Sequence, residues 1–220
     1  MNRRALLLGA AAVAIAAFAS AAVYYPRAPE TPPAPPQQES NLVRFHSPVL
    51  GPAGAPVTIV EFLDPSCEAC RAFYPYVKKI LSDYPQDVKL VIRYAPLHAG
   101  SDEAVRILEA SRRQNKFDEV LQALFRDQDQ WALHDGPDMA KAWSLAEGAG
   151  LDLTKARQDA SSEAITKVLE QDIADMKAIN LEGTPTFYIN GKPLAEFGPE
   201  ELIAQVEAEV KAVRAAKPAG

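Results

Sequence analysis

The spacing of apolar residues changes several times along this chain, and each change marks an element. Residues 56–64 (PVTIVEFLD) are β-branched and aromatic, with Gly and Pro before them and Asp-Pro across their end, which predicts a buried strand. From Cys67 to about Leu81 the apolar positions Phe73, Tyr76, Val77, Ile80 and Leu81 follow three- and four-residue spacing, one face of a helix. Residues 88–94 (VKLVIRY) read as a second strand, completing a βαβ unit. Helical spacing then holds from 101 to about 179, in runs at 104–110, 117–125, 139–149 and 164–176. A third strand is expected at 186–190, and Asn190-Gly191 is a two-residue hairpin signal that returns the chain along 192–197. Residues 200–213 close the pattern as a helix with Leu202, Ile203, Val206 and Val210 on one face. The order is βαβ, a helical block at about 100–180, then ββα: an α/β chain with a helical insertion.

The first forty residues differ in kind. Arg3 and Arg4 precede an uncharged, alanine-rich run from Ala5 to Pro26, and Ala19-Ser20-Ala21-Ala22 supplies small residues where a signal peptidase would cut. A run of roughly 20 residues is also long enough to span a bilayer. Residues 1–22 are therefore expected to be a signal peptide or a membrane anchor, and either places the remainder outside the cytoplasm. Residues 23–40 hold Pro26, Pro29, Pro32, Pro33, Pro35 and Pro36, a linker biased to extended polyproline II. The folded domain is expected at 41–220.

Composition narrows the class. Hydrophobic residues make up 48% and charged residues 24% of the 220, which excludes a disordered chain and a polytopic membrane protein. The net charge of -6, with no basic cluster, offers nothing to neutralise phosphates, so no nucleic-acid partner is expected. Two cysteines exclude a disulfide-dense scaffold.

Those two cysteines, Cys67 and Cys70, fall where the first strand hands over to the first helix. A thiol at a helix N-terminus meets free backbone N–H groups and the positive end of the dipole. Such placement lowers its pKa from about 8.5 into roughly 3.5–7.5. One turn inside, Cys70 can close a tight disulfide with Cys67 or attack a mixed disulfide formed there. Cys67 is thus the candidate nucleophile and Cys70 the resolving thiol. Other uses of the pair stay open. A structural disulfide is one, although so short a loop constrains the unfolded chain little. A metal site is another: zinc takes four ligands and no second pair exists, but a soft ion such as Cu(I) could use two thiols. Inert core thiols are the third.

Gly183-Thr184-Pro185-Thr186 opens the third strand. Proline is unusual there, and a cis Thr184–Pro185 bond would account for it. A CxxC opening the first helix, followed by Thr-Pro ahead of the final hairpin, resembles the thioredoxin superfamily. The helical block narrows the resemblance to the DsbA-like thiol:disulfide interchange proteins, over about residues 47–213. The resemblance implies a thioredoxin fold with a central mixed sheet, a monomer, and disulfide exchange with cysteine-containing envelope proteins in the periplasm. It also implies a membrane redox partner, either a quinone-linked oxidase or a membrane reductant, and no cofactor. Thr184 and Pro185 would lie against the CxxC and pair with an extended substrate. Glu61, six residues before Cys67 in an apolar strand, matches the family's buried acid, which passes a proton to or from the resolving thiol. The alternative for Glu61 is a pair with Arg93 on the neighbouring strand.

The residues between the cysteines, Glu68-Ala69, depart from the Pro-His of strongly oxidising members. A glutamate there repels a thiolate, so a less oxidising couple is expected. Two readings of another class share the same residues: a Cu(I)-binding envelope protein and a chaperone-like binder. Trp131, Trp143 and Phe125 are expected in the core and His98 in a surface loop; His46 and His134 carry no role.

Overall fold

The computed structural model describes residues 41–216; the expected leader at 1–22 and the proline-rich linker at 23–40 lie outside the described residues. The centre of the fold is two parallel strands, β2 (Val57–Leu63) and β3 (Val88–Tyr94), with β3 buried along its whole length. A parallel pair needs a crossover, and α1 (Glu68–Asp83) supplies it. On one side β1 (Val49–Leu50) pairs antiparallel with β3. On the other, β4 (Thr186–Ile189) pairs antiparallel with β2, and β5 (Lys192–Pro193) with β4. The result is a mixed five-stranded sheet, ordered β1-β3-β2-β4-β5.

Between β3 and β4 stand α2 (Ser101–Arg112), α3 (Phe117–Arg126), a 3-10 turn (Gln128–Gln130), α4 (Met139–Gly148), α5 (Leu153–Ala160) and α6 (Glu163–Ala178). Their starts follow side chains that satisfy free N–H groups: Asp138, Asp152 and Ser162 cap α4, α5 and α6 by accepting from Lys141, Lys155 and Ile165. After the hairpin, α7 (Pro199–Ala216) returns across the sheet to pack on α1, β2 and β4. The hairpin turn has Asn190 at φ 49° and Gly191 at φ 80°, both left-handed, as a type I′ turn requires. Two strands depart from expectation. β1 is two residues long, too short to show alternation in sequence. The returning strand stops at Pro193, on the sheet edge where a residue without N–H is tolerated.

Alternation along β2 divides the core. Val57, Ile59 and Leu63 face a large cluster shared with α1, α7 and the insertion, which also buries Phe125, Trp131 and Trp143 as expected. Val60 and Phe62 face a smaller cluster with Val91 and Met176 of α6, joined by Leu42 and Val43. This division corrects one expectation. Glu61 lies opposite Ile92 in the β2–β3 ladder, and Arg93 lies opposite Phe62. Glu61 and Arg93 therefore project from opposite faces of the sheet and cannot pair. Arg93 instead sits 5.5 Å over the Phe62 ring and binds Asp172 and Asp175 at 2.8 and 2.6 Å.

Candidate active site

Cys67 is the N-cap of α1, with extended backbone (φ -75°, ψ 122°), and its carbonyl accepts the Arg71 N–H at 3.1 Å. Its sulfur therefore sits at the positive end of the helix, as its place before the apolar face of α1 predicts. Cys70 lies one turn in. The two thiols are adjacent and joined by a hydrogen bond from Cys70 to Cys67. Cys67 keeps 5% of its surface exposed and Cys70 none, so an incoming sulfur can meet only Cys67.

The Thr184–Pro185 peptide is cis, as expected. It brings the Thr184 carbonyl to within 3.2 Å of the Cys67 sulfur, which donates to it when protonated. Behind the pair, the Asp64 N–H points at the Cys70 sulfur at 3.5 Å. The five residues singled out from sequence thus gather at one end of the sheet. Thr184 is partly exposed and Cys67 keeps a sliver of surface, while Cys70 and Pro185 are buried against them. Glu61, 2% exposed, lies beneath them on the face of β2 that looks towards α1.

Electrostatics separate the roles. The Cys67 thiol is held down at about 5: the hydrogen bond from Cys70 lowers it most, burial works against this, and the Thr184 side chain with the N–H groups of Cys70 and Ala69 lowers it further. This holds despite the adjacent Glu68, whose side chain is turned to solvent near His134. Burial pushes Cys70 far above the ordinary thiol range, helped by its hydrogen bond to Cys67 and the charge of Glu61. Burial also raises Glu61 to about 8, with the charge of Cys67 adding to it. One sulfur is an anion at neutral pH, the other holds its proton, and an acid of intermediate strength lies beside them.

Asp64, which sequence reading used only as the end of a strand, organises the site from below. Fully buried, its carboxylate accepts from the N–H groups of Ser66 (2.8 Å), Leu97 (2.7 Å) and His98 (3.0 Å) and from the Ser101 hydroxyl. It also binds His98 Nδ1 at 2.7 Å. His98 is half-exposed, as a loop residue, but it is anchored rather than free. Burial alone would lower its pKa; the Asp64 hydrogen bond and charge raise it. The one signal for Asp64 in sequence is its place three residues before Cys67. Among the described residues no group of three or more His, Cys, Asp or Glu gathers as metal ligands.

Comparison with known proteins agrees with this geometry. A family model described as thioredoxin matches residues 45–208. The fold is similar to a thioredoxin-like oxidoreductase from Silicibacter pomeroyi (28% identity, TM-score 0.66, covering 79% of this chain and 95% of that one). It is similar to BdbD from Bacillus subtilis (26%, 0.64, 76% and 94%). It also superposes on alpha-DsbA1 from Wolbachia pipientis (18%, 0.71, 81% and 100%), a likeness of fold alone. Among curated proteins, a Na(+)/H(+) antiporter NhaA 3 of Salinispora tropica is 31% identical over 172 residues, 77% of this chain but 25% of the antiporter. The chain thus spans about a quarter of the length of the curated relatives it matches. No helix among the described residues is long and apolar enough to cross a membrane. Helix-tip cysteines, a cis-proline loop set against them and an insertion of helices between β3 and β4 are what the matched sequence encodes, and the chain belongs to the thioredoxin family.

Proposed function

We propose that this chain is a thiol:disulfide oxidoreductase that exchanges disulfides with cysteine-containing proteins in the periplasm. The observation that carries the reading is the asymmetry of the pair. Cys67 is held at about 5 at the helix tip and keeps a small exposed surface, while Cys70 is sealed and protonated. A nucleophile must be ionised and reachable, and a resolving thiol must wait.

The steps follow from that asymmetry. The Cys67 thiolate attacks one sulfur of a client disulfide, forming a mixed disulfide and releasing the other client sulfur as a thiolate. Glu61 takes the Cys70 proton. The Cys70 sulfur then attacks the Cys67 sulfur, closing the Cys67–Cys70 disulfide and expelling the second client thiolate. Two electrons pass from the pair to the client. The reverse sequence oxidises a client dithiol. Both directions balance on sulfur alone, so no cofactor is needed. Thr184 and Pro185 flank Cys67 and would hold an extended client segment against it. A membrane redox partner would reset the pair. The expected leader at 1–22 and the likeness to part of a membrane antiporter support work beside a membrane.

Insulin serves as the client in the test. Cys67→Ala abolishes turnover, and Cys70→Ala accumulates a mixed disulfide that runs as a larger species on non-reducing gels. A fully active Cys70→Ala protein that traps nothing overturns the division of labour. The potential of the pair against glutathione then assigns it as oxidant or reductant.

A further inference from the structure

The loop from Asp64 to Cys67 carries the reactive sulfur, yet it lies between β2 and α1 and belongs to neither ladder nor helix. Its N–H groups are answered from within: Ser66 donates to Asp64 Oδ1 at 2.8 Å and Cys67 to the Asp64 carbonyl at 3.1 Å. The Pro65 and Cys67 carbonyls are answered from outside. Gln128, in the 3-10 turn after α3, donates its side-chain amide to the Pro65 carbonyl at 2.8 Å and to the Cys67 carbonyl at 3.0 Å. Gln128 is 2% exposed, so these bonds form away from water, where losing them would take the side-chain donor from the buried Pro65 carbonyl and leave the Cys67 carbonyl only its helical N–H. The bridged carbonyls flank Ser66, and one rigid amide spanning both fixes the turn through which the chain enters α1. The Cys67 carbonyl also takes the first helical N–H, from Arg71. Gln128 therefore grips the joint between loop and helix at the nucleophile itself.

We propose that Gln128 is a positioning residue of the active site, clamping the Pro65 and Cys67 carbonyls so that the helical insertion sets where the Cys67 sulfur stands against Thr184 and Cys70. The inference rests on Cys67 being the nucleophile. Gln128 acts through the Cys67 backbone, and its removal misplaces the sulfur from the groups that stabilise the thiolate. A second bridging amide in the insertion provides a control. Gln114 donates to the Asp152 carbonyl at 3.1 Å and accepts from the Asp152 N–H at 2.9 Å, tying the turn after α2 to the N-cap of α5 on the surface.

The test compares Gln128→Leu, Gln128→Asn and Gln114→Leu with wild type in the full chain. It reads thiolate absorbance against pH, the potential against glutathione, and thermal unfolding. In Gln128→Leu the ionisation constant of Cys67 falls roughly five-fold or more, the scale of one net hydrogen bond. The potential shifts with it. Gln128→Asn, too short to span both carbonyls, gives a smaller shift in the same direction and decides the matter if the leucine variant does not fold. Gln114→Leu lowers the unfolding temperature and leaves the thiol unmoved. Unchanged ionisation in both Gln128 variants, or an equal change in Gln114→Leu, overturns the clamp while leaving the redox reading intact. A wild-type Cys67 that ionises only near the ordinary value of about 8.5 overturns the nucleophile itself and the clamp with it.

Discussion

Cys67 and Glu61 are shifted in opposite directions, and the signs make them separable. Between about pH 5 and 8 the thiolate coexists with a neutral Glu61. Above about 8 the carboxylate is free to take the Cys70 proton. Two outcomes follow. Alkylation of Cys67 by iodoacetamide rises through about pH 5 and then levels. Decay of the mixed disulfide rises through about pH 8, and Glu61→Gln flattens that limb and slows decay at pH 8 by about ten-fold or more. Stability carries the same signature. The Glu61 pKa is raised on folding, from 4.5 to about 8, so its contribution is present below 4.5 and lost as pH rises to about 8. The urea midpoint of Glu61→Gln, measured against wild type, therefore gains steadily across that window. A gain that shrinks with rising pH contradicts the burial of Glu61. All five candidate residues could be picked out of the sequence because each sits at a local landmark: a helix start, a strand entrance, a polar break in an apolar run. Asp64 and Gln128 were not, because their partners are far along the chain and no spacing announces them.

The helices and strands were legible for a related reason. Period, caps and turns are local, and runs such as 88–94 and 139–149 carry them strongly. What the pattern missed were joints. Gly100, the N-cap of α2, has φ 76°, and a Cβ there would meet Pro137 Cγ at 2.7 Å and Met139 Sδ at 2.9 Å. Gly191 in the hairpin has φ 80°, but nothing lies within 4 Å of its Cβ position. Both positions strain an alanine backbone, and only Gly100 adds a collision with the start of α4. Gly191→Ala thus costs about 1 kcal/mol, and Gly100→Ala at least about twice that. Chemical unfolding of the two variants checks the order, and equal losses would remove the close packing of α2 on the loop before α4.

Across the fold, one buried network ties the segment before β1, the sheet and α6 together. Arg93 and Asp172 are both fully buried. Asp172 also accepts the Tyr94 N–H at 2.8 Å and binds His46 at 2.7 Å, while Asp175 holds Arg44 at 2.6 Å. Removing Asp172 leaves Arg93 to Asp175 and takes the acceptor from the buried Tyr94 N–H, so Asp172→Ala costs about 1–3 kcal/mol. A loss below about 1 kcal/mol on chemical unfolding would show the network to be dispensable. Burial pushes the Asp175 carboxyl up, but hydrogen bonds and charges of Arg44 and Arg93 overcome it and hold the group at about 2. A depressed carboxylate stabilises above its unfolded value of 3.8 and loses that contribution as pH falls towards 2. Acid unfolding monitored by circular dichroism shows this limb, and Arg44→Met weakens it.

Element order, the helix-tip placement of Cys67 and the proline before β4 are local properties, and the amino-acid order determined them. Which face of the sheet receives Glu61 and which Arg93 is a matter of register between strands thirty residues apart, and only the paired sheet decides it. The same holds for the two side chains that grip the nucleophile loop. Asp64 and Gln128 acquire their roles when β2, the loop before α2 and the 3-10 turn meet in space, because a buried hydrogen bond is specified by position and leaves no period in the chain.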